Sequence, residues 1–158
     1  MTGAIKAITV REPWASCIVT GAKTVENRAS GTKWRGLLFI HTSQQTDDAA
    51  LFDVRVRHAL NITNGSQLAF ERGAVIAVVD LIGVHEAVTI PALIGGPGSC
   101  CAPWGERWHS ARPAKHLVLA NVRPLAKPVP CRGALGLWTP PEDVTAQVMW
   151  QIPTVVTR

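Results

Sequence analysis

One run constrains the fold more than any other stretch of this chain: Gly73–Val84, GAVIAVVDLIGV. It is β-branched and apolar at successive positions, with no helical or strand-like alternation of polar residues. A strand reads that way when both of its faces are covered. The run is therefore predicted to be a buried strand. Its one charge, Asp80, needs a partner, because an unpaired buried carboxylate is costly. Lys23 and Arg28 are the bases expected to supply it, and Asp80 is a candidate second carboxylate of a site.

The remaining elements fall around this strand. Ala4–Arg11 is rich in Ile and Val and reads as a strand. Pro13 suits a first helical turn and Gly21 a helix end, with Trp14, Cys17 and Ile18 at helical spacing, so residues 13–20 are predicted to be a short helix. Thr24–Asn27 is a brief strand and Arg35–Thr42 a longer one. A helix is expected across 47–60, opened by Asp47 and Asp48. Residues 61–67 form a turn-rich loop. Thr89–Pro113 carries too much Gly and Pro for regular structure, and a connection of that length is usually functional or mobile. His116–Leu125 is a strand, 127–132 a proline turn, Ala134–Trp138 a last short strand and 141–150 a helix. Five or six strands do not alternate with long helices here, which disfavours a doubly wound sheet. The expected class is α+β, mainly β: a partly closed β-barrel of five to six strands with two or three flanking short helices.

A length of 158 residues suits a single domain, 1–158. With 47% hydrophobic and 17% charged residues, disorder and coiled coil are excluded. No apolar run approaches the roughly 18 residues of a membrane span. The opening MTGAIKAITVREPW has no apolar signal core, and the four cysteines are scattered. Both features lead to the expectation of a cytoplasmic protein with no membrane partner.

The formal charge of +5 is unevenly placed. Residues 1–46 hold six bases and two acids, 47–86 three bases and six acids, and 87–141 six bases and one acid. Two basic segments thus flank an acidic one. If they meet in the fold, they form a positive face suited to phosphates.

The chemistry concentrates in REPWA, GAKTVENR and RGLLFIHT, between Arg11 and Thr42. Glu26 and Arg28 share a face at strand spacing. A turn at Lys23–Thr24 would bring Lys23 to them. A Lys binds phosphate or polarises a carbonyl, and a Glu accepts from an exocyclic amine or acts as a general base. An Arg clamps a phosphate, a base edge or the Glu itself. The plainer alternative is a Glu26–Arg28 salt bridge at a sheet edge, with Lys23 in solvent.

These residues resemble the ASCH domain, a branch of the PUA-like superfamily. Its G-x-K-x-x-E-x-R pattern is matched by Gly21, Lys23, Glu26 and Arg28, its Pro-aromatic pair by Pro13 and Trp14, and its RG…IH strand by Arg35, Gly36, Ile40 and His41. GAVIAVVDL and HLVLANVRPLAKPVPCRGALGLW resemble its later strands, so the likeness spans about 5–139, leaving 140–158 as a C-terminal extension. The resemblance implies a PUA-like barrel with a cleft beside the motif that binds RNA, single-stranded nucleic acid or a modified nucleobase. It implies as an alternative a hydrolase, either a ribonuclease or an amidohydrolase on N4-acylcytidine, with Lys23 and Glu26 catalytic. The amidohydrolase branch uses a Lys, matched by Lys23, and a Thr, at whose place Glu26 stands, so the hydroxyl nucleophile is missing there.

Six tryptophans and no tyrosine add aromatic faces on which unstacked bases can stack. Trp14 leads into the motif, and Trp104 and Trp108 sit with Arg107 in the long basic loop. Trp138 is read as core. The expected ligand-binding set is Pro13, Trp14, Lys23, Thr24, Glu26, Arg28, Arg35, His41, Trp104, Arg107 and Trp108. No metal or cofactor is expected. Cys100 and Cys101 are adjacent and lack the gap of a chelating pair, and His109, His116 or Cys131 complete no familiar ligand pattern.

Overall fold

The computed structural model describes residues 4–64, 66–90 and 98–153. In chain order it runs β1 (Lys6–Glu12), α1 (Trp14–Val19), β2 (Val25–Arg28), β3 (Gly36–Thr46), a 3-10 turn (Asp48–Phe52), α2 (Val54–Ala59) and β4 (Ala74–Glu86). There follow the two-residue strands β5 (Thr89–Ile90), β6 (Gly98–Ser99), β7 (Trp108–His109) and β8 (Arg112–Pro113). The chain closes with β9 (Lys115–Pro130), β10 (Leu137–Trp138) and α3 (Glu142–Trp150). Six strands form one curled sheet in the order β10-β1-β3-β4-β9-β2. Its pairs are antiparallel except β1 with β3, which is parallel. The class is the mainly β, partly closed architecture expected.

The apolar run is β4, and it lies between β3 and β9. The alternation explains why it is apolar throughout. Ala77, Val79 and Leu81 pack with Ile8, Val10, Leu38 and Ile40 beneath Ala15 and Ile18 of α1. Val75 and Val78 pack with Ala7 and Phe39 beneath Val144 and Val148 of α3. Both faces are covered, so neither carries a polar rhythm.

Four local expectations change. The 47–60 helix is broken at Asp53, which is extended (φ −68°, ψ 126°) and caps α2 by accepting from the Arg55 N–H. The β9 strand runs on through Pro124, Pro128 and Pro130, past the predicted turn. Its register slips three times against β4, and such bulges leave positions where no ladder donor is needed. Asn121 takes a left-handed φ of 51° at one of them. The 89–113 segment includes the short pairs β5–β6 and β7–β8, while 91–97 lies outside the described residues. Finally, Asp80 reaches neither Lys23 nor Arg28: it accepts from Arg123 at 2.5 Å and Asn121 at 2.7 Å. Its position opposite Ala120 on the neighbouring strand makes those two the nearest donors.

Phe39 is fully buried at the centre of the α3-side cluster, while Phe52 is 84% exposed. Truncating Phe39 to Ala should cost about 3–5 kcal/mol through lost transfer and a cavity. Phe52→Ala should move stability by less than about 0.5 kcal/mol. Urea unfolding of the two variants measures the contrast.

Candidate functional site

The site begins at the end of α1. Glu12 is buried, and its carboxylate accepts from the Ser16 amide at 2.9 Å and the Ser16 hydroxyl at 3.0 Å, holding the first turn. Burial raises its pKa against these bonds. The helix stops at Gly21, whose φ of +81° is the left-handed geometry that favours glycine. The reversal releases the chain at Lys23 before β2 begins, so Lys23 escapes the strand alternation that would have sent it away from Glu26.

Lys23 is therefore buried, not solvated. Its Nζ donates to the Val25 carbonyl and, at 2.8 Å, to Glu26 Oε2. The other carboxylate oxygen accepts from Arg28 Nε at 3.1 Å, and Arg28 NH2 donates to the Thr9 carbonyl at 2.7 Å. Burial pushes the Glu26 carboxyl up, but the charges and hydrogen bonds of Lys23 and Arg28 outweigh it and hold the pKa below the ordinary value. The three residues form one continuous array, Lys–Glu–Arg, on the edge strand.

The array lines a cleft of about 920 Å³. Its opposite wall has a second polar chain. Trp138 Nε1 donates to Thr9 Oγ1 at 3.2 Å, and Thr9 Oγ1 lies 3.2 Å from His41 Nδ1. His41 Nε2 lies 3.0 Å from the Cys131 carbonyl. An indole N–H only donates and a carbonyl only accepts, so the chain has one direction: Thr9 donates to Nδ1, and Nε2–H donates to Cys131. Burial lowers the pKa of His41 despite the bond to Cys131, which matches a neutral ring. Trp138, read from sequence as core, thus also orients a cleft residue, with its ring edge-on to His41 at 5.5 Å.

Trp14 and Trp104 meet at the third side. The Trp14 indole donates to Asp47 at 3.0 Å. The Arg55 guanidinium lies 5.9 Å from one ring and 5.5 Å from the other and pairs with Asp53 and Glu106. Trp104 is buried with Cys17, Val25 and Val56, and Trp14 keeps partial exposure.

Of the predicted site residues, Trp14, Lys23, Glu26, Arg28, His41 and Trp104 line the cleft. The other five lie elsewhere. Pro13 is buried under α1 and Thr24 is exposed at the strand start. Arg35 turns back to the carbonyls of Thr32 and Trp34. Arg107 and Trp108 are exposed on the outer side of their loop. Residues from both basic segments do line one cavity, but the later segment contributes Arg132 and His109 there, not Arg107. Thr9, Arg11, Asn27 and Glu106 also line it and were not among the expected ligand-binding residues. Asn27 bridges the loop to β2: its Nδ2 donates to the Trp104 carbonyl and its Oδ1 accepts from the Glu106 amide, both at 2.9 Å. Outside the cleft, the donors of His85, Cys100, Cys101 and His116 converge, which the cysteine spacing had argued against.

Comparison with protein families matches the ASCH domain over residues 8–128. The chain belongs to the ASCH domain family. The crystal structure of ASCH from Zymomonas mobilis is similar at 13% identity and TM-score 0.55, covering 93% of this chain and 94% of that one. Two single-residue mutants of the same protein give 13% identity and TM-score 0.55, with 93% and 97% covered for one and 94% and 96% for the other. At this identity the likeness establishes the fold, which is the PUA-like fold of ASCH domains, often linked to RNA binding. No curated protein matches. Among the described residues no helix is long and apolar enough to cross a membrane.

Glu26→Gln should remove the charge that Lys23 and Arg28 share and cost about 3–5 kcal/mol at neutral pH, the usual loss when one partner of a buried pair is neutralised. Because the folded pKa of Glu26 is depressed, its contribution is complete above the unfolded pKa of about 4.3 and fades as pH falls through the folded value. Denaturation of wild type and variant across pH should show the gap closing in acid.

Proposed function

We propose that this ASCH domain binds RNA or single-stranded nucleic acid by taking one nucleobase into the cleft beside Lys23, Glu26 and Arg28. The observation that carries the reading is the Glu26 carboxylate, kept ionised by two cations at the wall of a cleft large enough for a nucleotide. An ionised carboxylate in that position accepts from the exocyclic amine of an unstacked base. Lys23 and Arg28 are committed to Glu26 and to backbone carbonyls, so they position the carboxylate and set the local potential. Exposed Arg11 and Arg132 at the cleft meet phosphate. Trp14 has ring surface left for stacking, which Trp104 does not. His109 Nδ1, buried at the cleft wall with no hydrogen-bond partner among the described residues, is a further contact for the ligand.

The same geometry argues against Glu26 as a strong general base, since the pairing that lowers its pKa lowers its basicity. Hydrolysis of an N-acylated nucleoside is a second reading, carried by a different pair. Thr9 Oγ1 donates to neutral His41 and both line the cleft. Attack by Thr9 on an acyl carbon would place its proton on His41 Nδ1, His41 would pass that proton to the departing nucleoside amine as the C–N bond breaks, and water would then hydrolyse the Thr9 ester to the acid and free Thr9.

Fluorescence anisotropy with a mixed-sequence single-stranded RNA tests the binding. Affinity should fall with salt, and Arg11→Ala or Arg132→Ala should each reduce the salt slope by about 1. Trp14→Ala should weaken binding by about 1–3 kcal/mol at fixed salt. Arg35→Ala, outside the cleft, should change neither. Binding indifferent to Trp14, Arg11 and Arg132 alike would move the site away from the cleft. Release of acid from N4-acylcytidine, lost in Thr9→Val, would put the hydrolase reading first.

A further inference from the structure

We propose that His85, Cys100, Cys101 and His116 form a structural zinc site that pins the loop bearing Trp104 and Glu106 to the central sheet. One ligand atom from each of the four residues lies within 4.8 Å of all the others. Cys100 Sγ is 3.5 Å from His116 Nδ1, and Cys101 Sγ is 3.3 Å from His85 Nε2. A tetrahedral ion with Zn–S of about 2.3 Å and Zn–N of about 2.0–2.1 Å separates its ligand atoms by roughly 3.3–3.8 Å. The two cross pairs already have that spacing, and small side-chain rotations close the rest.

The histidines are held as metal ligands are held. His85 on β4 and His116 on β9 are direct partners in the antiparallel register, and their rings meet at 5.1 Å and 77°. His85 Nδ1 lies 2.9 Å from the Glu86 carbonyl, and His116 Nε2 lies 2.7 Å from the Glu106 carbonyl. A carbonyl accepts only, so each of these nitrogens carries the proton. The other nitrogen of each ring faces a cysteine and is the one placed to bind an ion. A carbonyl that accepts from the far ring nitrogen in this way is the common support of a metal-bound histidine.

The cysteines meet the same point despite being adjacent in sequence. Cys101 has a left-handed φ of 62°, which reverses the chain between the two side chains. The Val88 amide donates to Cys100 Sγ at 3.1 Å, which fixes the side chain toward β4 and β9. Gly105 closes the turn. Its amide donates to the Cys101 carbonyl at 2.8 Å, and a Cβ there would lie 2.3 Å from the Cys100 carbonyl oxygen and 2.8 Å from the His116 ring. Two sulfurs and two imidazoles with no oxygen donor select zinc over magnesium or calcium. Four protein ligands leave no open position for substrate, which makes the site structural.

What the ion would hold is clear from the contacts around it. The loop from Cys100 carries Trp104 and Glu106 into the cleft wall, and Asn27 ties both to the motif strand. The site therefore joins the β4–β9 pair to that wall. This inference stands on its own geometry, whatever ligand the cleft takes.

Protein expressed in zinc-supplemented medium and purified without chelator should carry one zinc per chain by elemental mass spectrometry. Cys101→Ser and His85→Ala should each lose most of it, and Cys131→Ser, outside the cluster, should keep it. Titrating metal-depleted, folded wild type with cobalt(II) gives a readout that needs no variant. Thiolate-to-cobalt charge transfer with strong tetrahedral d–d bands, displaced by zinc, supports the site. Hydrogen exchange of residues 100–106 should then slow on zinc addition while β3 and β4 stay unchanged. Folded wild type that takes up no stoichiometric zinc, or a weak octahedral cobalt spectrum without charge transfer, would overturn the proposal.

Discussion

The bond from Arg28 to the Thr9 carbonyl closes the curled sheet on itself, and the cleft depends on that closure. β2 is an edge of the sheet, and β1 lies four strand steps away in the order β10-β1-β3-β4-β9-β2. In a flat sheet those steps of about 4.8 Å would hold the two strands roughly 19 Å apart, beyond the reach of one arginine. The 2.7 Å contact exists because the sheet curls until its two sides face each other. Glu26 orients Arg28 from below, and Lys23 neutralises the rest of that carboxylate. The ion array is thus both a clasp across the mouth of the half-barrel and the wall of the cleft that the clasp creates. Stability and the proposed recognition draw on the same three side chains.

Much of this was legible in the residues, for identifiable reasons. β4 announced itself because α1 and α3 cover its two faces and leave no polar position except Asp80. Pro13, Trp14 and Gly21 bracketed α1 because the constraints that start and stop a helix are local. Local reading failed where a capping bond or a long-range partner overrode the apolar spacing. Asp53 breaks the 47–60 helix through its own bond to the Arg55 amide, although the apolar spacing continues past it. The prolines of β9 look like a turn until the bulges against β4 are known. The partner of Asp80 depended on which strand lies beside β4, and sequence distance says nothing of that.

The cleft divides the same way. Lys23, Glu26 and Arg28 were visible because eight residues carry them. Thr9 and Trp138 were not, because their roles depend on the pairing of β1 with both β3 and β10. Arg107 and Trp108 shared the composition of a binding loop, yet Trp104 and Glu106 are the members that Asn27 draws inward. The Cys–His cluster was hidden most deeply. Its histidines lie thirty-one residues apart and meet only through strand register, and its cysteines converge only through one left-handed residue.

The pairing of β1 with β10 also has a consequence in time. Ala7 sits opposite Trp138, so the first strand waits for nearly the last before its outer edge is covered. During synthesis β1 can add to β3 early, but its other edge stays bare until some 130 residues have followed. Such long-range closure slows folding, because the entropy of the large loop is lost before the contact is gained. A nascent chain of this topology spends that interval with an unpaired strand edge beside His41 and Thr9. Chaperone demand and aggregation on overexpression should therefore track the release of the C-terminal segment more closely than the native stability of the finished sheet.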